Sequence, residues 1–348
     1  MINLGLVGLG YWGPNFARIA FEHPGANLLW CCDISKKNLE EIKSKYKNIE
    51  ITTDVDDILK DPGVDAVIIA VPATLHFKIT KKALLSGKHV LVEKPLASSR
   101  KEAEELVRLA KFKKKVLLVD HIFLYNPAIQ KIKQYIENGQ LGDIFYGHGT
   151  YTALGPIRID VSAMWDLSIH FIYTIVYLLG ANPISISAFG RGFLVSKNAD
   201  VAFLNLEFPK KCIFNLKVSW LDPVKTRSLV LVGDKKMAIF DDTRISKVSL
   251  LDRGVNYNFK KGSLPEGYRF ILRDGDIVLP HIQNNEPLKE VFEDFLGSIQ
   301  KKKKPLVNPE DAVNTITLLE AAEYSLKNEG IKVNLKNSKR ANLLRFKR

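Results

Sequence analysis

An apolar run from Ile2 to Val7 breaks into Gly8-x-Gly10-x-x-Gly13, and a second apolar stretch, Asn27 to Cys32, stops at Asp33. No other feature of the chain restricts its fold as much. A strand that turns through glycines into a helix aims the backbone N–H groups of the helix start at an anion. Gly8 would turn the chain tightly, Gly10 would admit a pyrophosphate close to the backbone, and Gly13 would let the helix pack on the sheet. An acid closing the next strand accepts hydrogen bonds from a ribose diol. The glycines alone are equally those of a turn without a ligand. With strand, helix and Asp33 in place they predict a dinucleotide-binding βαβ unit.

The 348 residues suffice for two domains with separate cores, and 46% hydrophobic with 26% charged residues is the balance of a soluble protein. No stretch reaches the roughly eighteen apolar residues of a membrane span. The chain enters a strand at once, without the basic and apolar succession of a signal peptide. Three cysteines, with Cys31 and Cys32 adjacent in a strand, make neither a disulfide scaffold nor a zinc site, so a cytoplasmic setting is expected. Of the net charge of +13, ten charges sit in Lys301–Lys304 and in the tail, at Lys336, Lys339, Arg340, Arg345, Lys347 and Arg348. The tail lacks interleaved aromatics and any nucleic-acid motif, which argues for a solvated terminus rather than a nucleic-acid or membrane contact. A modest positive field would still draw in an anionic substrate.

Residues 1–123 alternate as strand and helix. The continuous apolar run Ala66 to Val71 is that of a parallel strand covered on both faces, and the expectation is a doubly wound α/β sheet. From 124 to 335 the pattern changes to an α+β domain with an open, mainly antiparallel sheet. A helix over Pro127–Asn138, a strand over Ile144–Tyr151 and a helix from Ala163 to Leu179 precede short strands separated by turns, the last of them Tyr268 to Leu272. Helices over 287–299 and 310–328 are expected to pack between the domains, and 336–348 forms the basic tail.

Two constellations carry chemistry. Glu93-Lys94-Pro95 follows the strand His89–Val92 at the carboxyl edge of the sheet, where ligands of open α/β sheets bind. Lys94 there would donate to a substrate hydroxyl and stabilise developing alkoxide charge. In Trp165-Asp166-Leu167-Ser168-Ile169-His170 the acid and the imidazole are four apart and share a helix face. His170 suits a general base for a hydroxyl losing its proton, with Asp166 orienting the ring and favouring its protonated form. No third ligand lies nearby for a metal. A structural hydrogen bond beneath Trp165 fits the same spacing.

Together these segments resemble the Gfo/Idh/MocA oxidoreductases, the glucose-fructose oxidoreductase and inositol dehydrogenase family. The resemblance runs through 8–15, through 65–72 with Thr74 and His76, through 87–96, and through Asp166 with His170. It implies a Rossmann domain followed by an open-faced sheet domain, and homodimers or homotetramers. It implies Lys94, Asp166 and His170 as the catalytic set. Gly8, Gly10, Tyr11, Trp12, Gly13, Asp33, Pro72, Thr74, His76, Glu93 and Lys94 would bind the cofactor.

Tyr11-Trp12-Gly13-Pro14-Asn15, the segment His121 to Pro127, and Gly155-Pro156-Ile157-Arg158 look most like the nucleotide-sugar branch, which oxidises carbon 3 of UDP-N-acetylhexosamines or their uronates. That likeness makes His121, Tyr125, Asn126, Arg158 and Asp160 candidate substrate contacts, with Arg158 suited to a diphosphate or carboxylate. The chain departs from the branch at Ser168-Ile169 before the histidine and at Phe171 after it. Asp33 favours NAD, because its carboxylate repels a 2′-phosphate, although Ser35 and Lys36 soften the preference over NADP. A free-sugar or inositol dehydrogenase, an NAD-dependent glycosidase, and a non-catalytic nucleotide sensor are the alternatives.

Overall fold

The computed structural model describes residues 1–194, 198–256 and 271–335. The basic tail and the first three positions of the strand expected at Tyr268 lie outside the described residues. The chain divides into two compact units. Met1–Tyr125 with Asn285–Glu320 form the first, and Asn126–Asn284 with the chain from Ala321 on form the second.

In the first unit, strands β1 (Ile2–Val7), β2 (Ala26–Cys32), β3 (Glu50–Thr52), β4 (Ala66–Ile69), β5 (His89–Glu93) and β6 (Leu117–Asp120) alternate with helices. These are α1 (Gly13–Glu22), α2 (Lys36–Lys45), α3 (Val55–Lys60), α4 (Ala73–Leu85) and α5 (Arg100–Lys113). All pairings are parallel, in the order β3-β2-β1-β4-β5-β6. Chain order reverses between β1 and β4, which opens a crevice at the carboxyl ends of those strands. Every residue of β4 is fully buried, as its unbroken apolar run predicts for a strand covered on both faces. Ser35 and Ser99 cap α2 and α5 by accepting from the backbone N–H three residues on. A short 3-10 turn, Ile122–Tyr125, ends the continuous part of the unit.

The second unit opens with α6 (Pro127–Glu137), β7 (Ile144–Leu154), a π-helical turn (Met164–Ser168) and α7 (Ile169–Leu179). Strands β8 (Ser185–Arg191), β9 (Val201–Glu207), β10 (Ile213–Ser219), β11 (Leu221–Gly233), β12 (Met237–Asp241), β13 (Val248–Asn256) and β14 (Ile271–Val278) follow. Helix α8 (Pro287–Gln300) belongs to the first unit, α9 (Pro309–Lys327) passes from the first into the second, and β15 (Val333–Asn334) closes the sheet.

The nine-stranded order is β14-β13-β12-β11-β7-β10-β9-β8-β15. It is mainly antiparallel, but not the simple meander that the turns suggest. Strand β7, first in sequence, lies in the middle and runs parallel to β10. Two glycines of β7 explain how a helix reaches that centre. A Cβ on Gly149 would stand 2.9 Å from the Phe171 ring of α7, and one on Gly147 would meet the Phe214 ring. The helix-facing side of the sheet carries Leu204, Leu206, Phe214, Leu216, Leu229, Leu231 and Phe240, all essentially buried. The opposite side exposes Tyr146, His148, Phe203, Asn205, Ile213 and Asn215.

Candidate active site

The glycine turn after β1 has the shape its sequence predicts. Gly8 adopts φ +97°, and a Cβ there would lie 2.5 Å from the Ala70 carbonyl oxygen. A Cβ on Gly13 would fall 2.2 Å from the Gly8 carbonyl. Around Gly10 a Cβ would meet nothing within 4 Å, so the backbone there faces open space, as close approach of a ligand requires. Trp12 precedes α1 without a side-chain cap, so no side chain competes for the anion-facing N–H groups of that end. Tyr11 is 87% exposed and meets Trp12 edge-on.

Asp33, at the end of β2, accepts from Leu9 N–H through Oδ2 at 2.6 Å and from Ser35 N–H through Oδ1 at 2.8 Å. Oδ1 also accepts from Asn38 Nδ2 at 3.4 Å, so Asp33 braces the glycine turn and Oδ2 is the oxygen that keeps a further lone pair for a ribose hydroxyl. Exchanging Asp33 for Asn is expected to raise the KM for NAD about tenfold, the worth of one charge-assisted hydrogen bond, and to narrow the preference over NADP. Steady-state kinetics with both cofactors check this, and an unchanged preference rules out Asp33 as the discriminating group.

Pro72 precedes α4, where Thr74 is exposed and His76 is buried. The His76 ring nitrogens lie 2.6 Å from the Pro95 carbonyl and 2.9 Å from the Val71 carbonyl. The imidazole thus ties the loop leaving β4 to the turn that carries Lys94.

Lys94 follows β5, and its peptide bond to Pro95 is cis. Beside it, Glu93 and Asp120 are register partners at the ends of β5 and β6, and both are buried. Burial, and then the neighbouring Glu93 charge and hydrogen bond, push the Asp120 carboxyl well above the usual range. Two carboxyl groups share a hydrogen bond only when one holds a proton, and the raised Asp120 carboxyl is the one that favours its protonated form. Nothing in the sequence reading singled out Asp120. The signal was an acid ending the strand next to the one that ends in Glu93.

Burial, and then the Lys94 charge, push the His121 imidazole down to about 3. It is neutral near pH 7. The Tyr125 hydroxyl donates to Asp294 at 2.8 Å, and burial raises the phenol far above its ordinary value. In the second unit the Asn126 carbonyl caps α6 by accepting from Ala128 N–H.

The Asp166–His170 segment differs from a regular helix. A π-helical turn spans Met164–Ser168, and α7 begins at Ile169, so the two residues do not lie one α-turn apart. Hydrophobic periodicity gives no sign of the extra residue per turn. The Trp165 indole donates to Glu323 at 3.0 Å, which anchors the turn from α9. Asp166 accepts from Arg158 Nη1 at 3.2 Å, and Asp160 takes the other side of that guanidinium through Nε at 3.0 Å and Nη2 at 2.7 Å.

His170 is 8% exposed. Its Nδ1 lies 2.9 Å from the Tyr173 hydroxyl, and its ring packs 5.6 Å from that of Tyr151. Sequence reading missed both tyrosines, because an aromatic in an apolar helix or a buried strand reads as core. A phenol oxygen that accepts from Nδ1–H leaves the proton-accepting lone pair on Nε2.

Comparison with known proteins agrees with this architecture. The model of the oxidoreductase family with an NAD-binding Rossmann fold matches residues 2–121, and that of the GFO/IDH/MocA C-terminal domain matches 129–239. The chain belongs to the Gfo/Idh/MocA oxidoreductases, and its Rossmann domain takes NAD. A UDP-N-acetylglucosamine 3-dehydrogenase of Acidithiobacillus ferrooxidans is 29% identical over 85% of this chain and 88% of its own. A 2,7-anhydro-N-acetylneuraminate hydratase of Escherichia coli is 27% identical over 93% and 95%. An uncharacterized oxidoreductase of Streptococcus pneumoniae matches at 28%, where the chain spans 60% of that relative's length. Among solved structures, GenD2 from gentamicin A biosynthesis, in complex with NAD, superposes with a TM-score of 0.82 at 22% identity, covering 96% of each chain, which speaks to the fold. Among the described residues no helix is long and apolar enough to cross a membrane.

Proposed function

We propose that the protein oxidises a sugar hydroxyl with NAD, at carbon 3 of a UDP-N-acetylhexosamine or its uronate. The observation that carries this reading is the buried His170 imidazole, with the Tyr173 hydroxyl 2.9 Å from its Nδ1. His170 takes the hydroxyl proton at Nε2. Lys94 supplies a donor for a substrate oxygen that gains charge. Asp166, held by Arg158, adds a negative charge that favours the protonated ring. NAD supplies the hydride acceptor, and the Gly8–Gly13 turn with Asp33 holds it. Similarity to the A. ferrooxidans dehydrogenase over most of both chains supports the sugar nucleotide as substrate.

Incubation with NAD and a panel of UDP-N-acetylglucosamine, its uronate, free N-acetylglucosamine and myo-inositol tests the reading. Accumulation of NADH with the UDP sugars alone is the expected result, and accumulation with free sugars or inositol alone overturns it. The long match to the hydratase favours a second reading, in which oxidation is transient and no net NADH forms. Consumption of a sugar substrate without NADH accumulation would select that reading. Cys31, Cys32 and Cys212 are free and buried, which supports a cytoplasmic setting. The exposed aromatic and aliphatic side chains of the nine-stranded sheet support a homo-oligomer.

A further inference from the structure

Two clusters of charged side chains lie in the second unit. Arg158 is one cation between two carboxylates, forked onto Asp160 and bonded to Asp166. Asp242 is one carboxylate between two cations, 3.4 Å from Arg227 Nη1 and 3.1 Å from Lys247 Nζ. An arginine already forked onto one carboxylate and bonded to a second is poorly placed to receive an anionic substrate group. Binding there would separate an ion pair and bring a further negative charge beside two others.

Arg227 is placed differently. It is the cross-strand partner of Tyr151, and its guanidinium lies 5.0 Å from the centre of the Tyr151 ring. That ring in turn packs against His170. The described residues offer the five N–H groups of Arg227 a single acceptor, the distant Asp242 oxygen, and its Nε meets none. One tyrosine ring separates Arg227 from His170, and in a hexose 1-diphosphate one sugar ring separates the diphosphate from the hydroxyl on carbon 3.

We propose that Arg227, with Lys247 beside it, receives the diphosphate of the substrate, and that Arg158 holds Asp166 in place instead of binding an anion. This proposal rests on the sugar-nucleotide reading above.

The test uses the full-length protein saturated with NAD, and UDP as the probe. Titration calorimetry is expected to show UDP binding at least tenfold weaker in Arg227→Gln and within about threefold of wild type in Arg158→Gln, as loss of a charge-assisted phosphate contact predicts. The KM for UDP-N-acetylglucosamine rises in parallel in Arg227→Gln, with kcat within about threefold, because Arg227 does not touch the reacting atoms. NAD affinity reports on folding, and if Arg227→Gln has lost it, Arg227→Lys is read by the same criteria. Unchanged UDP affinity in the Arg227 variant, or loss in Arg158→Gln instead, overturns the assignment and leaves the sugar-nucleotide reading intact. A wild-type protein that neither binds UDP nor oxidises any UDP sugar overturns both.

Discussion

Replacement of His170 by alanine is expected to lower kcat on the true substrate by about a hundred- to ten-thousandfold, with NAD affinity unchanged. Removing a positioned general base has a cost of that order. NAD affinity is spared because the glycine turn, Asp33 and the helix start they serve all belong to the first unit, while His170 belongs to the second. Pre-steady-state hydride transfer, read beside a direct titration of NAD, separates the two quantities. Turnover within a few-fold of wild type would remove His170 from the mechanism.

Tyr173→Phe is the companion measurement. The Tyr173 hydroxyl lies 2.9 Å from Nδ1, and a phenol oxygen that accepts from Nδ1–H favours the charged ring. Its loss is expected to lower the apparent pKa of the base, move the acid limb of kcat/KM to lower pH, and reduce the plateau about three- to tenfold. A tyrosine that merely filled space would leave the limb where it is.

The parts of this site that were legible in the sequence are those whose cause is local. A glycine that must turn at positive φ, as Gly8 does, and an acid that must end a strand, as Asp33 does, leave marks at fixed offsets. The unbroken apolar runs of the Rossmann strands reflect cover on both faces, so strand and helix alternate visibly. Residues whose role depends on tertiary neighbours left no such mark. Asp120 meets Glu93, a partner 27 positions earlier, only because the sheet brings it alongside. The centre of the nine-stranded sheet was equally hidden. Gly147 and Gly149 admit Phe214 and Phe171 against β7, a role that depends on residues far along the chain. Arg227 likewise takes its place only through its pairing with Tyr151.

The other large loss is expected on replacing Lys94 by methionine, which keeps the apolar stem and removes the ammonium. Withdrawing the donor to a developing oxyanion costs about a hundred- to a thousandfold in kcat. The surroundings of Lys94 explain why its charge is well placed. Because Asp120 favours its protonated form, the Glu93–Asp120 pair presents less negative charge to the ammonium than two ionised carboxylates would. His76, through the Pro95 and Val71 carbonyls, fixes the turn from which Lys94 projects.

Asp120→Asn distinguishes the role of the pair from that of the lysine. The amide imitates the protonated acid as a donor to Glu93, so kcat should stay within about threefold of wild type while Lys94→Met collapses. A parallel collapse in Asp120→Asn would mean that an ionised Asp120 is required. Stability gives an independent reading. A carboxyl whose folded pKa lies above its unfolded value contributes most at low pH, and that contribution is lost as pH rises. Asp120→Asn should therefore raise the melting temperature more at pH 8 than at pH 5. A gain confined to pH 5 would contradict a protonated Asp120 at the edge of the sheet.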